Sequence, residues 1–246
     1  VDLTVTSPPY DNLRTYKGFV FDYKSMLKEL YRVTKDGGVV VWVVNDATIN
    51  GSETGTSFRH ALYAMDIGFN LHDTMIYAKY NPIPLNHRRY EQQFEYMFIF
   101  SKGKPKTFIP KKTKVTTKIK PCKDKHHERH YRRGNTLRGH KKEKIKSNIW
   151  YYKIGQNQTT KDKIAFKHPA QFPEQLAEDH ILSWSNEGDI VLDPMCGAGT
   201  TCKMAYLNNR KFIGIDCSEE YINDICIPRL KQYGWNESNL NNTINY

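Results

Sequence analysis

The chain has 246 residues, 39% of them hydrophobic and 13% aromatic. That is enough to bury one substantial core, and too much for a disordered polymer. The formal net charge is +11, and no apolar run reaches the roughly 20 residues that a membrane span requires.

In chain order, residues 1–6 are apolar-rich and stop at Pro8-Pro9, the pattern of a buried strand ended by proline. Met26, Leu27, Leu30, Tyr31 and Val33 approximate helical spacing over 24–35, with Asp36-Gly37-Gly38 closing the helix. Residues 39–44 are continuously apolar, as a central strand covered on both faces must be. Thr56 or Ser57 caps a second predicted helix, with Phe58, Ala61, Leu62 and Met65 expected inward and Gly68 ending it. Strands are predicted at 71–78 and 94–100.

After Trp150, Pro173 opens a helix with an apolar face of Leu176, Ala177, Ile181, Leu182 and Trp184. A strand at 190–192, a helix at 201–208, a strand at 211–216 and a helix capped by Ser218 follow, the last kinked or stopped by Pro228. The Asn-rich tail 234–246 is expected to fray. Alternating strands and helices predict an α/β fold with a largely parallel twisted sheet and helices on both faces.

The charge is unevenly spread. Residues 101–150 hold 18 Lys and Arg against 3 Asp and Glu, whereas the remainder holds 19 against 23. A mildly acidic body therefore carries a strongly cationic insert at 103–148, as a polyanionic partner would require. Lys104, Lys106, Lys111, Lys112, Lys114, Lys118 and Lys120 suit phosphates; Arg129, Arg132, Arg133 and Arg138 suit guanine edges, since Arg can bond two acceptors at once. Arg88, Arg89 and Tyr90 are further candidates near the nucleic acid. A solvated loop is the plainer reading of such a run.

The five cysteines, Cys122, Cys196, Cys202, Cys217 and Cys226, lack paired spacing, which argues for reduced thiols in a cytoplasmic setting. Cys122 with His126, His127 and His130 lacks the regular paired gaps of a zinc site, so no metal is expected. No secretory signal is visible, and because the chain opens at Val1 its natural start is expected upstream.

Two motifs carry the chemistry. In Ser7-Pro8-Pro9-Tyr10, two prolines remove N–H groups and leave carbonyls as acceptors. The Ser7 hydroxyl and the Pro8 carbonyl can accept both N–H groups of an exocyclic amine, and Tyr10 offers a face on which a base can stack. In Asp193-Pro194-Met195-Cys196-Gly197-Ala198-Gly199-Thr200-Thr201, glycines after a strand let backbone approach a ligand closely, and Asp216 at the end of the next strand can accept from ribose hydroxyls. Cys202 stands where a third glycine would complete a dinucleotide fingerprint, which favours a nucleoside without pyrophosphate.

The second motif resembles the S-adenosylmethionine motif D-P-F-x-G-x-G-T-T of DNA amino-methyltransferases, with Met195 in place of the aromatic. His168-Pro169-Ala170-Gln171-Phe172-Pro173 is similar to the H-P-T-Q-K-P segment of the same family, with Phe172 in place of Lys. The order of catalytic motif, recognition region and cofactor motif is that of the beta class. The resemblance implies a Rossmann-like class I methyltransferase of circularly permuted motif order. Residues 1–102 would form its catalytic half, 103–148 a basic recognition insert, 149–233 the cofactor half and 234–246 a flexible tail.

It also implies S-adenosylmethionine held by His168, Phe172, Pro173, Asp193, Pro194, Gly197, Gly199, Thr200 and Asp216, and direct methyl transfer to a base flipped out of duplex DNA. Ser7 favours the N4 amine of cytosine, since adenine enzymes usually carry Asp or Asn there; N6-adenine is the alternative. A non-catalytic DNA-binding relative is the second alternative. A homodimer and a cognate restriction endonuclease are implied as partners, and a bacterial or phage origin. The family's usual segment ahead of the first strand contributes to the adenine pocket; a chain starting at Val1 implies truncation or a pocket built differently.

Overall fold

The structure is a computed structural model that describes all residues except 10, 12–20, 83, 85–87, 116–141, 237–241 and 246. The chain divides into two units, Val1–Ile109 with Asn148–Tyr246, and Pro110–Ser147.

The larger unit is built on a mixed sheet. In chain order its elements are β1 (Leu3–Thr6), α1 (Tyr23–Val33), β2 (Val39–Val44), a small hairpin of β3 (Thr48–Ile49) and β4 (Ser52–Glu53), α2 (Thr56–Asp66), β5 (Asn70–Lys79) and β6 (Phe94–Ser101). The smaller unit contains the antiparallel pair of β7 (Lys112–Lys114) and β8 (Glu143–Ile145). The larger unit resumes with β9 (Ile149–Tyr152), a 3-10 turn at Lys163–Lys167, α3 (Glu174–Trp184), β10 (Ile190–Asp193), α4 (Thr200–Leu207) and β11 (Lys211–Ile215). It ends with α5 (Glu219–Tyr221), a π-helical turn Ile222–Cys226, α6 (Ile227–Lys231) and β12 (Thr243–Asn245).

The eight-stranded order is β12-β11-β10-β1-β2-β6-β5-β9. Only β6 runs antiparallel to its neighbours. β1 and β10, far apart in sequence, pair in parallel at the centre, Leu3 opposite Val191 and Thr4 opposite Leu192. From this pair the chain winds outward in opposite directions, which makes their carboxyl ends the switch point where open α/β sheets bind ligands.

β2 is buried at every position because alternate valines serve two cores. Val39, Val41 and Val43 pack with α3 and α4, and Val40, Trp42 and Val44 pack with α1 and α2. α1 is capped by Asp22, which accepts from the N–H groups of Lys24 and Ser25 at 3.0 and 3.2 Å. It ends at Thr34, ahead of the predicted Asp-Gly-Gly stop, where the Lys102 ammonium takes the carbonyls of Tyr31 and Thr34 at 3.0 and 3.1 Å.

Several expectations are corrected. The inward face of α2 is Thr56, Ser57, His60, Ala61 and Ala64, while Phe58, Leu62 and Met65 are 51%, 61% and 47% exposed. Ala61 is the one shared residue: small side chains let the helix lie close to the sheet, and the bulky apolar face turns outward. Its N-cap is Gly55 rather than Thr56 or Ser57, and the Ser57 N–H is taken by the Asp46 carboxylate at 2.9 Å. On α3, Leu182 is exposed and His180 takes a buried place. The tail contributes an edge strand: β12 pairs in parallel with β11, Asn242 accepts the Phe212 N–H at 2.8 Å, and Trp235 is buried. Pro228 does not stop the final helix: it stands in the first turn of α6, directly after the π-helical turn.

Candidate active site

Pro8 and Pro9 cannot donate to a ladder, so β1 ends at Thr6 and its chain turns off the sheet beside the end of β10. Two bonds join these ends. Thr6 Oγ1 donates to Asp193 Oδ1 at 2.8 Å, and Thr201 Oγ1 donates to the Val5 carbonyl at 2.9 Å. Burial pushes the Asp193 carboxyl up to about 7, against the bonds from Thr6 and the Met195 N–H that favour its charged form.

The turn after β10 is tightly held. Gly197 has φ 47° and Gly199 φ 73°, and a Cβ on Gly197 would come within 2.6 Å of His168 Nε2, one on Gly199 within 2.5 Å of Cys226 Sγ. Gly197 donates its N–H to Asp216 Oδ2 at 2.8 Å, and Ser218 donates to Oδ1 at 2.9 Å. His168 is fixed by Ala170, whose N–H lies 3.2 Å from Nδ1, and meets the Tyr221 ring edge-on at 4.5 Å.

Ser7, Pro8 and Pro9 line one cavity of about 1280 Å³ together with Asp193, Pro194, Gly197, Thr200, Asp216, His168 and Phe172. The two distant motifs therefore share one space. Pro173 and Gly199 are not among the lining residues: Pro173 caps α3, and Gly199 packs against Cys226. Tyr10 lies outside the described residues, as do Lys118, Lys120, Arg129, Arg132, Arg133, Arg138 and the Cys122/His126/His127/His130 cluster. Lys112 and Lys114 are exposed on the β7–β8 pair, Lys111 is half-buried beside it, and Lys112 Nζ lies 3.9 Å from Glu143. Arg89 is tied back to the β3–β4 hairpin through the Gly51 carbonyl and Glu53.

Sequence reading missed several contributors. Lys79 and Glu95 line the cavity as an ion pair at 2.7 Å. Asp11, directly after the first motif, accepts from the Ala47 N–H at 2.9 Å and from the Thr54 and Thr56 hydroxyls. Asp162, Glu174, Lys203 and Arg229 form a buried charge network behind the glycine turn. One signal existed: Lys203 is the one charged residue of α4.

The cavity suits a nucleoside cofactor. Positive-φ glycines leave no side chain against it, Phe172, Ile215 and Tyr221 offer apolar walls, and Asp216 ends the adjoining strand. The family profile for DNA methylases of the N6/N4 type matches residues 1–226. The chain belongs to the N6/N4 DNA methylase family. As a member it is an S-adenosylmethionine-dependent DNA amino-methyltransferase.

Among relatives of this methylase, the orphan methyltransferase M.BamHII of Bacillus amyloliquefaciens is 58% identical over 95% of this chain and 89% of its own length. The type II methyltransferase M.HpaI of Haemophilus parainfluenzae is 30% identical over 90% of this chain and 66% of its own length. The methylase also shares its fold with solved structures. The PvuII DNA methyltransferase superposes with a TM-score of 0.65 at 18% identity, covering 100% of this chain and 88% of that one. The M1.HpyAVI–SAM complex gives 0.61 at 24%, covering 94% and 88%. Among the described residues, no helix is long and apolar enough to cross a membrane.

Proposed function

We propose that this methylase modifies the exocyclic N4 amine of a cytosine flipped out of duplex DNA. The single observation that carries the reading is the cavity shared by Ser7–Pro9 and the Asp193–Thr200 turn. The Ser7 hydroxyl and Pro8 carbonyl accept the two N–H groups of the amine, which draws the nitrogen lone pair out of ring conjugation. Tyr10 stacks on the base. Asp193, Pro194, Gly197, Thr200, Asp216, His168 and Phe172 hold S-adenosylmethionine, which supplies an electrophilic methyl group on a sulfonium. Each Asp216 oxygen accepts one backbone N–H and keeps a lone pair for a ribose hydroxyl. Positioning and exclusion of water supply the catalysis, without a covalent enzyme intermediate.

Ser7 favours cytosine because a neutral hydroxyl suffices for its polarised amine. N6-adenine is the second reading, supported by 54% identity over 55 residues to the Escherichia coli DNA adenine methyltransferase YhdJ. Digesting a methylated duplex to nucleosides decides between them: N4-methylcytosine is expected, and N6-methyladenine overturns the choice. S-adenosylmethionine titration giving no heat would point instead to a non-catalytic DNA-binding relative.

The basic insert 103–148 grips the duplex, Lys111, Lys112 and Lys114 through phosphates and Arg129, Arg132, Arg133 and Arg138 at base edges. The bacterial relatives support action on DNA in a bacterial cytoplasm, and the orphan name of M.BamHII supports a chain that works without a dedicated endonuclease. The exposed rings of Phe58 and Phe94, which flank the half-buried Tyr96 at centroid distances of 5.6 and 5.4 Å, fit a second copy of the chain. Sedimentation should show a dimer that L62E dissociates; a wild-type monomer would refute it.

A further inference from the structure

The wall of the cofactor cavity formed by residues 162–174 is separate in sequence from the glycine turn it faces, and something must hold the two together. Phe166, His168, Ala170 and Phe172 in this segment line the cavity. Asp162 and Glu174 stand at its two ends. Both carboxylates are gripped by the same two cations. Arg229 Nε reaches Asp162 Oδ2 at 2.7 Å and Arg229 Nη2 reaches Glu174 Oε1 at 2.5 Å; Lys203 Nζ lies 2.8 and 2.7 Å from the same oxygens. The Arg229 side chain is fully buried and that of Lys203 nearly so.

Arg229 also touches the turn directly. Its Nη1 donates to the Ala198 carbonyl at 2.8 Å and to Thr200 Oγ1 at 3.1 Å. Ala198 and Thr200 line the cavity. The arrangement is balanced, two cations against two anions, with Tyr233 Oη donating to Asp162 Oδ1 at 2.5 Å. Burial disfavours the charged form of Asp162, but bonds from Lys203, Tyr233 and Arg229 hold it down to about 2, so this carboxylate is ionised near neutral pH. Fork geometry matters here: Nε and Nη2 of one guanidinium take the two carboxylates while Nη1 takes the turn, a spread of donors wider than the three converging on an ammonium such as Lys203.

We infer that Arg229 is a positioning residue: it staples both ends of the 162–174 wall to the glycine turn and so sets the shape of the cofactor cavity. The inference rests on that cavity being the S-adenosylmethionine site. Calorimetry with S-adenosylmethionine on full-length R229K, R229M and the charge-balanced R229M/D162N tests it. All three should bind at least tenfold more weakly. KM for DNA, and kcat at saturating S-adenosylmethionine, should stay near wild type. R229M/D162N should recover most of the thermal stability lost in R229M, since no buried charge is left unpaired, without recovering affinity. Wild-type affinity in the balanced variant, or equal losses for DNA and S-adenosylmethionine, would reduce Arg229 to a stabilising role and overturn the staple. A wild-type protein that binds no S-adenosylmethionine overturns the site reading instead.

Discussion

At Asp193 a buried carboxyl sits between two strand ends with its proton affinity raised to about 7 by burial. Between the ordinary carboxylate range near pH 4 and pH 7, the folded chain keeps a proton that the unfolded chain releases. Stability from this group is therefore lost as pH rises through that window. The melting temperature of D193N relative to wild type should climb from pH 4 to 7 and level off above, read by calorimetry without ligand. Gly199 offers a second test. Ala there meets both a positive φ and the Cys226 sulfur, and G199A should cost about 1–3 kcal/mol. Adding C226A removes the clash and leaves the backbone strain, so the double variant should regain part of the lost stability rather than sum the two losses. Chemical denaturation of the four proteins measures this coupling.

The element most dependent on its neighbours is α2. His60, on its inner face, accepts from Trp42 Nε1 at 3.3 Å, and burial holds its pKa down to about 4. Between pH 6.5 and 4 the unfolded chain binds a proton that the folded chain refuses, so this contribution is present near neutrality and lost on acidification. Trp42 fluorescence during acid titration should report the loosening of α2, with the transition flattened in H60N. Asp193 pulls the opposite way across the same range, so the difference between variant and parent carries the information. Which side of α2 faced inward was not legible in the sequence. Phe58, Leu62 and Met65 have helical spacing, but so do His60, Ala61 and Ala64, and a period of 3.6 residues identifies a stripe without saying what covers it. The sheet selected the small stripe because it lets the backbones approach.

Across the molecule the charge is segregated, with a basic stretch of sequence on a mildly acidic body. If Lys111, Lys112 and Lys114 meet phosphates, replacing all three with Ala should lower the slope of log affinity against log salt by about 0.9 per contact, roughly 3 in all. Fluorescence anisotropy across a salt series measures it; an unchanged slope would remove these lysines from the interface. Parallel strands and the two motifs were legible from local pattern, since strand, turn and helix signals act within a few residues. Those signals also named Ser7, Gly197 and Asp216, three residues the fold brings to one cavity. They were silent on the pairing of β1 with β10, on Asp162 meeting Arg229, and on the tail joining the sheet as β12. Such partners lie tens to nearly two hundred residues apart, and a burial pattern records that a side chain is covered without recording by what. Their choice came from packing the whole chain, where a buried charge or an open strand edge must find its complement wherever the topology provides one.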